Sequence, residues 1–105
     1  MIRVSVLYPN QPGAKFDHTY YSEKHIPLCC RLLGDFGLVR AEVDKGLEGA
    51  APGSPPPYLC AGHLYFSSMD DVQKGFAVHG ATLAADVPNY TNLQPLKQIS
   101  EITVG

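Results

Sequence analysis

Charged residues are scarce in this sequence, tryptophan is missing, and no long hydrophobic run occurs. Of its 105 residues 17 % are charged and 45 % are hydrophobic, and the formal net charge is -2. The 8 lysines and arginines form no run that would neutralise phosphates, which argues against a nucleic-acid partner. No apolar stretch reaches the length that crosses a bilayer, and the segment MIRVSVLYPN lacks the pattern of a signal peptide. We therefore expect neither nucleic acid nor membrane as a partner.

Cysteine is also sparse, since only Cys29, Cys30 and Cys60 occur. Adjacent cysteines are poorly placed to bridge each other and no CxxC spacing is present, so we expect no disulfide framework. Reduced, buried thiols that behave as small hydrophobes fit a cytoplasmic protein. At this length we expect one domain, residues 1–105, with a single core.

Sequence motifs typical of cofactor binding or of an activated nucleophile are absent as well. The sequence contains no GxGxxG, no P-loop, no HExxH and no GxSxG pattern. We therefore expect no nucleotide cofactor, and no serine or cysteine nucleophile is indicated.

Apolar alternation and β-branched residues predict four strands, separated by turn residues. In the second strand Val39, Ala41 and Val43 are expected on one face. Residues 46–57 contain four prolines and no periodicity, and are predicted to form a long surface loop. The predicted strands are Ile2–Tyr8, Leu38–Lys45, Tyr58–Phe66 and Leu93–Val104.

Helical periodicity predicts two helices. Asp17 is expected to cap the first, which should end at Gly34. Ser68, followed by Asp71 at the third position after it, resembles a capping box for the second. The stripes expected to face the sheet are His18, Tyr21, His25, Leu28 and Leu32 in the first helix and Val72, Phe76, His79 and Leu83 in the second.

The element order β-α-β-β-α-β predicts a ferredoxin-like α+β fold, an antiparallel sheet with both helices on one face. The third strand is uncharged on both sides, so both of its faces are expected to be covered. Two helices cover only one face. A second copy packed sheet to sheet is the economical cover for the other, and we expect a homodimer through the open sheet face.

The first helix has a break beside a histidine. Pro27 lacks the N–H that would bond the carbonyl of Glu23, and its ring presses on that carbonyl, so the helix must kink or restart there. The break leaves room and polar backbone beside His25, which suits a polar ligand. The alternative is a core histidine that is hydrogen-bonded to a carbonyl or to Tyr21.

Other polar side chains are expected near His25 if they point toward the helices. His63 and Tyr65 lie in the third strand, and His79 lies on the inner stripe of the second helix. Together with Tyr21 we take them as candidate substrate-binding residues. Converging imidazoles would raise the question of zinc or non-haem iron, but no 2-His-1-carboxylate spacing is present and no metal is expected. His18 is expected at the pocket rim or in solvent.

Three segments resemble the EthD family, named for ethyl tert-butyl ether degradation: FDHTYYSEKHIPL, PPPYLCAGHLYF and PNYTNLQPLKQISEI. The His-x-Pro element at His25–Pro27 is the most specific of them, and the similarity extends over essentially the whole chain. The resemblance implies a dimeric α/β barrel of the α+β class, with His25 as acid/base of a pocket. Related barrels with a similar histidine include 4-methylmuconolactone methylisomerase, fungal polyketide dehydratases and cofactor-independent monooxygenases.

Two functions remain open at this point. One is an enzyme of small-molecule catabolism, a cofactor-independent isomerase, dehydratase or oxidoreductase, in which His25 transfers protons to a small apolar compound that carries a carbonyl, lactone or phenol. The other is a non-catalytic dimeric protein that binds such a compound or supports an oxygenase system, with the proline-rich loop as its contact surface. A cofactor-independent oxygenase ranks below both.

Overall fold

Four strands and two helices follow one another along the chain. The computed structural model describes all residues from Met1 to Gly105. The strands are β1 (Ile2–Pro9), β2 (Leu38–Lys45), β3 (Tyr58–Phe66) and β4 (Leu96–Glu101). Helix α1 (residues 18–33) consists of an α-helical turn His18–Tyr20, a π-helical turn Tyr21–His25 and an α-helix Ile26–Leu33; helix α2 is Met69–Asp86. Two short 3₁₀ turns, Gly34–Phe36 and Val87–Asn89, follow the two helices.

The strands form one antiparallel sheet in the order β2-β3-β1-β4. This order, with the two helices as connections, confirms the predicted ferredoxin-like α+β fold. The fourth strand is shorter than predicted and begins at Leu96. Pro95 precedes it and has no N–H for a strand ladder, while Leu93 is buried in the core outside any strand. No helix in the chain is both long enough and apolar enough to span a bilayer.

The core lies between the helices and one face of the sheet. Alternate residues of β1 and β3 point to this inner face, as the period of two in a strand requires. Val4, Leu64 and Phe66 pack there against Leu33 and Val72 of the helices. A second cluster at the other end of the same face is built from larger, more polar side chains: Tyr8, Tyr21, Cys60, Tyr90 and Leu93.

The second strand contains a bulge that the alternation did not predict. Leu38 pairs with Phe66 and Arg40 pairs with Tyr65, so Val39 is the extra residue between them. As a result Leu38 packs on the core, whereas Val39 is 54 % exposed. The expectation that Val39 shares the inner face with Ala41 is therefore wrong.

Both predicted helix caps are confirmed. The Asp17 side chain accepts a hydrogen bond from the Tyr20 N–H, and the Ser68 hydroxyl accepts one from the Asp71 N–H. The predicted end at Gly34 is confirmed, since Gly34 is the C-cap of the helix, but it has right-handed helical angles and starts a 3₁₀ turn. The left-handed position is Gly37, at φ 81, where the chain turns into β2.

Gly37 should be intolerant of a side chain for two separable reasons. A Cβ there would overlap the Asp71 side chain, in addition to the left-handed strain. Gly13 has a similar φ of 77 but open space around it, so it isolates the strain alone. We expect Gly13→Ala to cost about 1–2 kcal/mol and Gly37→Ala about 1–3 kcal/mol more. Urea unfolding of both variants measures the difference, and equal losses would contradict the packing argument.

Candidate functional site

A cavity lies between the second core cluster, α1 and α2. Its volume is about 330 Å³, and 11 of the 16 residues that line it are hydrophobic. The polar groups that reach it come from four places in the chain: Tyr8 at the end of β1, Tyr21 and His25 on α1, Tyr90 after α2, and Lys97 on β4. An apolar hollow with few convergent polar groups is the usual form of a small-molecule site.

The π-helical turn in α1 aims two side chains at the cavity. Its widened hydrogen bond runs from the Ile26 N–H to the Tyr21 carbonyl. The α-helix then restarts at Ile26, which places Pro27 in its first turn, where a missing N–H costs little. The predicted interruption is therefore confirmed. Tyr21 and His25 lie at the two ends of the π turn, both buried, with rings stacked at 5.5 Å.

His25 is held by a carboxylate from the other helix. Its Nδ1 lies 2.8 Å from Oδ2 of Asp86, the last residue of α2. An ionised carboxylate only accepts hydrogen bonds, so Nδ1 carries the hydrogen and donates it. In the neutral ring Nε2 is then left with a lone pair and no protein partner, on a side chain that lines the cavity. The arrangement presents a proton acceptor to whatever the cavity holds.

Asp86 is anchored by two further donors. The Tyr20 hydroxyl donates to Oδ1 at 2.7 Å, and the Asn89 side-chain amide donates to the same oxygen at 2.9 Å. Burial alone would raise the pKa of Asp86, but hydrogen bonds from Asn89, His25 and Tyr20 outweigh it and hold the pKa below its ordinary value. The carboxylate is therefore ionised at neutral pH and accepts hydrogen bonds from all three side chains.

Three phenols line the cavity beside His25. The hydroxyls of Tyr8 and Tyr90 are 2.6 Å apart, and the ring of Tyr21 lies edge-on to Tyr8 with centroids at 5.4 Å. Burial raises the pKa of each of the three phenols, so all of them stay protonated at neutral pH. They can act as hydrogen-bond donors and stay uncharged.

A glycine makes room for one of these phenols. Gly62 of β3 lies on the inner face, and a Cβ there would overlap the Tyr21 hydroxyl. Its backbone angles are ordinary for a strand, so the position needs space rather than flexibility. The absence of a side chain at Gly62 thus sets the depth to which Tyr21 enters the cavity.

Both candidate residues from β3 lie on the face of the sheet that points away from the helices. His63 is held between the Ser5 hydroxyl, 3.0 Å from Nδ1, and the Asp44 carboxylate, 2.8 Å from Nε2. Tyr65 donates to Glu42 at 2.7 Å. His63 and Tyr65 therefore do not line the cavity, contrary to the expectation that they point toward the helices. The reason is the period of two: Gly62 and Leu64 face the helices, so their neighbours in sequence cannot.

The remaining histidines are also outside the cavity. His79 packs edge-on against Phe36, with ring centroids at 5.5 Å, and is absent from the cavity wall. His18 is half-buried and packs on Phe16 at 4.8 Å. The expected convergence of His25, His63 and His79 is thus wrong, and of the predicted site residues the structure brings together only Tyr21 and His25.

Sequence reasoning does not single out three residues of this site: Tyr8, Asp86 and Tyr90. Tyr8 ends the apolar alternation of β1 on the same face as Val4, and this position is a usable signal. Asp86 and Tyr90 flank the 3₁₀ turn Val87–Asn89, where no periodicity assigns a direction. Their place in the site depends on how the end of α2 packs on α1.

Comparisons with known proteins agree with the fold. The model of the EthD domain matches residues 13–94. A crystal structure of an EthD-like protein from Ralstonia eutropha JMP134 is similar with 38 % identity and a TM-score of 0.92, over 98 % of this chain and 92 % of that chain. A search of curated proteins finds no match.

Two further solved structures are similar at lower identity. An ethyl tert-butyl ether degradation (EthD) family protein from Bacillus halodurans C-125 shares 18 % identity at a TM-score of 0.75, over 98 % of this chain and 99 % of that chain. A dimeric ferredoxin-like protein from an uncultured marine organism shares 11 % identity at a TM-score of 0.61, over 100 % and 97 %. At these identities the likeness shows the fold alone.

A ferredoxin-like sheet with a histidine-bearing cavity under its helices defines the structural class of this protein. The EthD domain match and the 38 % identical structure identify the family within this structural class. The chain belongs to the EthD family, and the resemblance seen in the His25–Pro27 segment is confirmed.

The hydrogen bonds to Asp86 should appear as a pH-dependent stability. Because its pKa is lowered in the folded protein, ionised Asp86 stabilises the fold at pH values above the unfolded pKa of about 3.9. This contribution is lost as the pH falls through the lower pKa of the folded state. Asp86→Asn should therefore lose stability near neutral pH, and the gap to the wild type should narrow in acid. Urea unfolding at several pH values between about 2 and 7 tests this.

Asp70→Asn is the matched control on the same helix. Its carboxylate is exposed and pairs only with Lys74, at 2.9 Å. Exposed pairs of this kind contribute little to stability, so the control should change the free energy of unfolding little at any pH. A gap between Asp86→Asn and the wild type that stays constant down to the acid limit would contradict the ionic role of Asp86.

Proposed function

We propose that this protein binds a small apolar, oxygen-bearing compound in the cavity and that His25 transfers protons to and from it. The observation that carries the proposal is the His25–Asp86 pair: Nδ1 is fixed at 2.8 Å by the carboxylate, and Nε2 is left free on a residue of the cavity wall. A structural histidine in a core would have both ring nitrogens satisfied.

The chemistry of the pair is general acid/base catalysis. Neutral His25 accepts a proton at Nε2, and Asp86 stabilises the imidazolium that forms because it remains ionised. The imidazolium can return the proton to another atom of the same molecule. A positioned histidine contributes roughly 10²–10⁴-fold to such a step.

The apolar wall favours hydrophobic substrates. Ile26, Leu83 and Val87 contribute to it, and Tyr21 stacks on the imidazole and is placed to orient the bound compound. This supports a cofactor-independent isomerase, dehydratase or oxidoreductase of small-molecule catabolism. One of the similar solved structures is an ethyl tert-butyl ether degradation (EthD) family protein. Compounds of such a pathway are therefore the first substrates to test.

The test is a screen of apolar ketones, lactones and phenols for binding and for consumption, with the wild type and His25→Gln. We expect turnover in the wild type to fall by roughly 10²-fold or more in His25→Gln, with binding largely kept because the apolar wall is unchanged. His79→Gln is the matched control, since His79 lies away from the cavity. Full turnover in His25→Gln would refute the acid/base role.

The second candidate is a non-catalytic binding or accessory protein for an oxygenase system. The exposed proline-rich loop favours it, since Leu47 there is 84 % exposed and offers an apolar contact. Tight binding without consumption, unaffected by His25→Gln, would decide for this function.

We further propose a homodimer through the open sheet face. Ala61, Leu7 and Leu96 are direct partners in neighbouring strands and form an apolar row across it. On the same face the Nε of Arg3 is buried without a hydrogen-bond partner, a group that an acceptor from a second copy would satisfy. Two sheets packed in this way form the dimeric α/β barrel.

A charge in the apolar row should separate the dimer. Ala61→Arg places a guanidinium charge where the two sheets would meet, which is costly without a partner. Val78→Arg is the control, because Val78 is 60 % exposed on α2, away from the sheet. We expect sedimentation velocity to show dimers for the wild type and Val78→Arg and monomers for Ala61→Arg. A monomeric wild type would refute the assembly.

We also propose that the protein is located in the cytoplasm. All three cysteines are free, and Cys30 is exposed. An exposed thiol persists best in a reducing compartment.

A further inference from the structure

The paired hydroxyls of Tyr8 and Tyr90 have a role that the proton transfer at His25 does not explain. Both residues line the cavity, both are almost fully buried, and their oxygens are 2.6 Å apart. Packing alone would be served by phenylalanine at both positions. Two polar atoms are instead placed in an apolar wall, where each needs a partner.

A count of hydrogens shows that the pair is incomplete by itself. Each hydroxyl has one hydrogen, and one of the two is used in the bond between them. The other hydroxyl accepts that bond and keeps its own hydrogen. The Tyr21 hydroxyl also adjoins Tyr8, but three hydroxyls joined by two hydrogen bonds still leave one hydrogen without an acceptor among them. Because the accepted bond polarises this second hydroxyl, it is a stronger donor than an isolated phenol.

The pair lies beside the base. The Tyr90 ring packs against the His25 ring with centroids at 4.7 Å, and the Tyr8 ring packs edge-on to Tyr90 at 5.8 Å. One small molecule can therefore contact both the hydroxyl pair and the imidazole. Burial keeps both phenols protonated, so the pair donates without adding charge.

We propose that the Tyr8–Tyr90 pair binds the oxygen of a carbonyl substrate and stabilises its enolate; the enolate step rests on the proposed function of His25. Nε2 of His25 removes a proton from the carbon next to the carbonyl. The electrons of that C–H bond form a C=C bond, and the C=O π electrons move to the oxygen, which becomes the anion held by the pair. In a substrate with a C=C bond directly beyond that carbon, the anion is a dienolate, and return of the proton from His25 to its far carbon shifts the double bond into conjugation with the re-formed C=O, an isomerisation with no other reactant.

This assignment narrows the substrate class. The substrate must be a ketone or lactone with a hydrogen on the carbon next to the carbonyl, a C=C bond directly beyond that carbon, and an apolar body that fits about 330 Å³. Donors fixed in advance at the developing charge are among the strongest contributions an active site makes. Substrates without a carbonyl would leave the free hydrogen of the pair unused and should bind less well.

The binding test uses phenols as stable mimics of an enolate. Para-nitrophenol, whose colour reports its ionisation, and unsubstituted phenol are titrated into the wild type, Tyr8→Phe, Tyr90→Phe and the double variant. We expect the wild type to hold para-nitrophenol as the phenolate, and each variant that lacks a hydroxyl to bind it about 10-fold or more weakly. Tyr58→Phe is the control, because Tyr58 lies outside this cavity. Circular dichroism verifies that every variant is folded.

A second measurement separates this inference from the function of His25. Exchange of the hydrogens next to the carbonyl of a cyclic ketone is followed by NMR in deuterium oxide. Exchange that needs His25 but is unaffected in the Tyr8→Phe, Tyr90→Phe double variant, with unchanged phenolate binding, would overturn the inference and leave the function intact. Phenolate binding that needs the pair, without any exchange, would support the oxygen site and count against the proton transfer.

The competing anion site is the ammonium of Lys97 at the cavity wall, 3.7 Å from the centroid of the Phe76 ring. Lys97→Met distinguishes it. Loss of phenolate binding in Lys97→Met, with normal binding in both tyrosine variants, would place the oxygen at Lys97 and overturn the inference. We expect the opposite result: phenolate binding is lost in the tyrosine variants and kept in Lys97→Met.

Discussion

The missing N–H of Pro27 is the constraint on which the rest of the site depends. A regular α-helix through residues 18–33 would bring the proline ring against a carbonyl of the preceding turn. The π turn Tyr21–His25 removes this conflict by inserting one extra residue before the α-helix restarts. The same insertion fixes which side chains point inward. Tyr21 enters the space left by Gly62, and His25 is turned toward the end of α2.

The position of Asp86 illustrates how the fold accepts an unfavourable charge. A carboxylate at the C-terminal end of a helix faces the negative end of the helix dipole, which costs about 0.3–1 kcal/mol. Hydrogen bonds from three side chains, Tyr20, His25 and Asn89, offset this cost. Those donors come from α1 and from the turn after α2. These hydrogen bonds therefore also hold the two helices together at the end of the molecule that contains the cavity.

Most of the fold can be predicted from periodicity, whereas most of the site cannot. The bounds of β2 and β3 and both helix caps follow from alternation and capping chemistry. Alternation in β3 divides its residues into two faces but does not say which face is inner, because neither contains a charge. That ambiguity is the reason why His63 and Tyr65 are placed wrongly. His25 is found because a local chemical conflict at Pro27 marks it, and Asp86 is missed because no such conflict exists there.

Several polar side chains on the open face of the sheet are hydrogen-bonded to one another. His63 satisfies both ring nitrogens with Ser5 and Asp44, and Tyr65 bonds Glu42 while its ring lies 4.1 Å from the Arg40 guanidinium. Polar groups that are already paired with one another are less costly to remove from water than unpaired ones. A face of this kind can carry histidine, tyrosine and carboxylates and still be covered. His63 and Tyr65 thus have a structural use on the side of the sheet away from the cavity, which explains why two residues of catalytic type stand in β3 without contributing to the site.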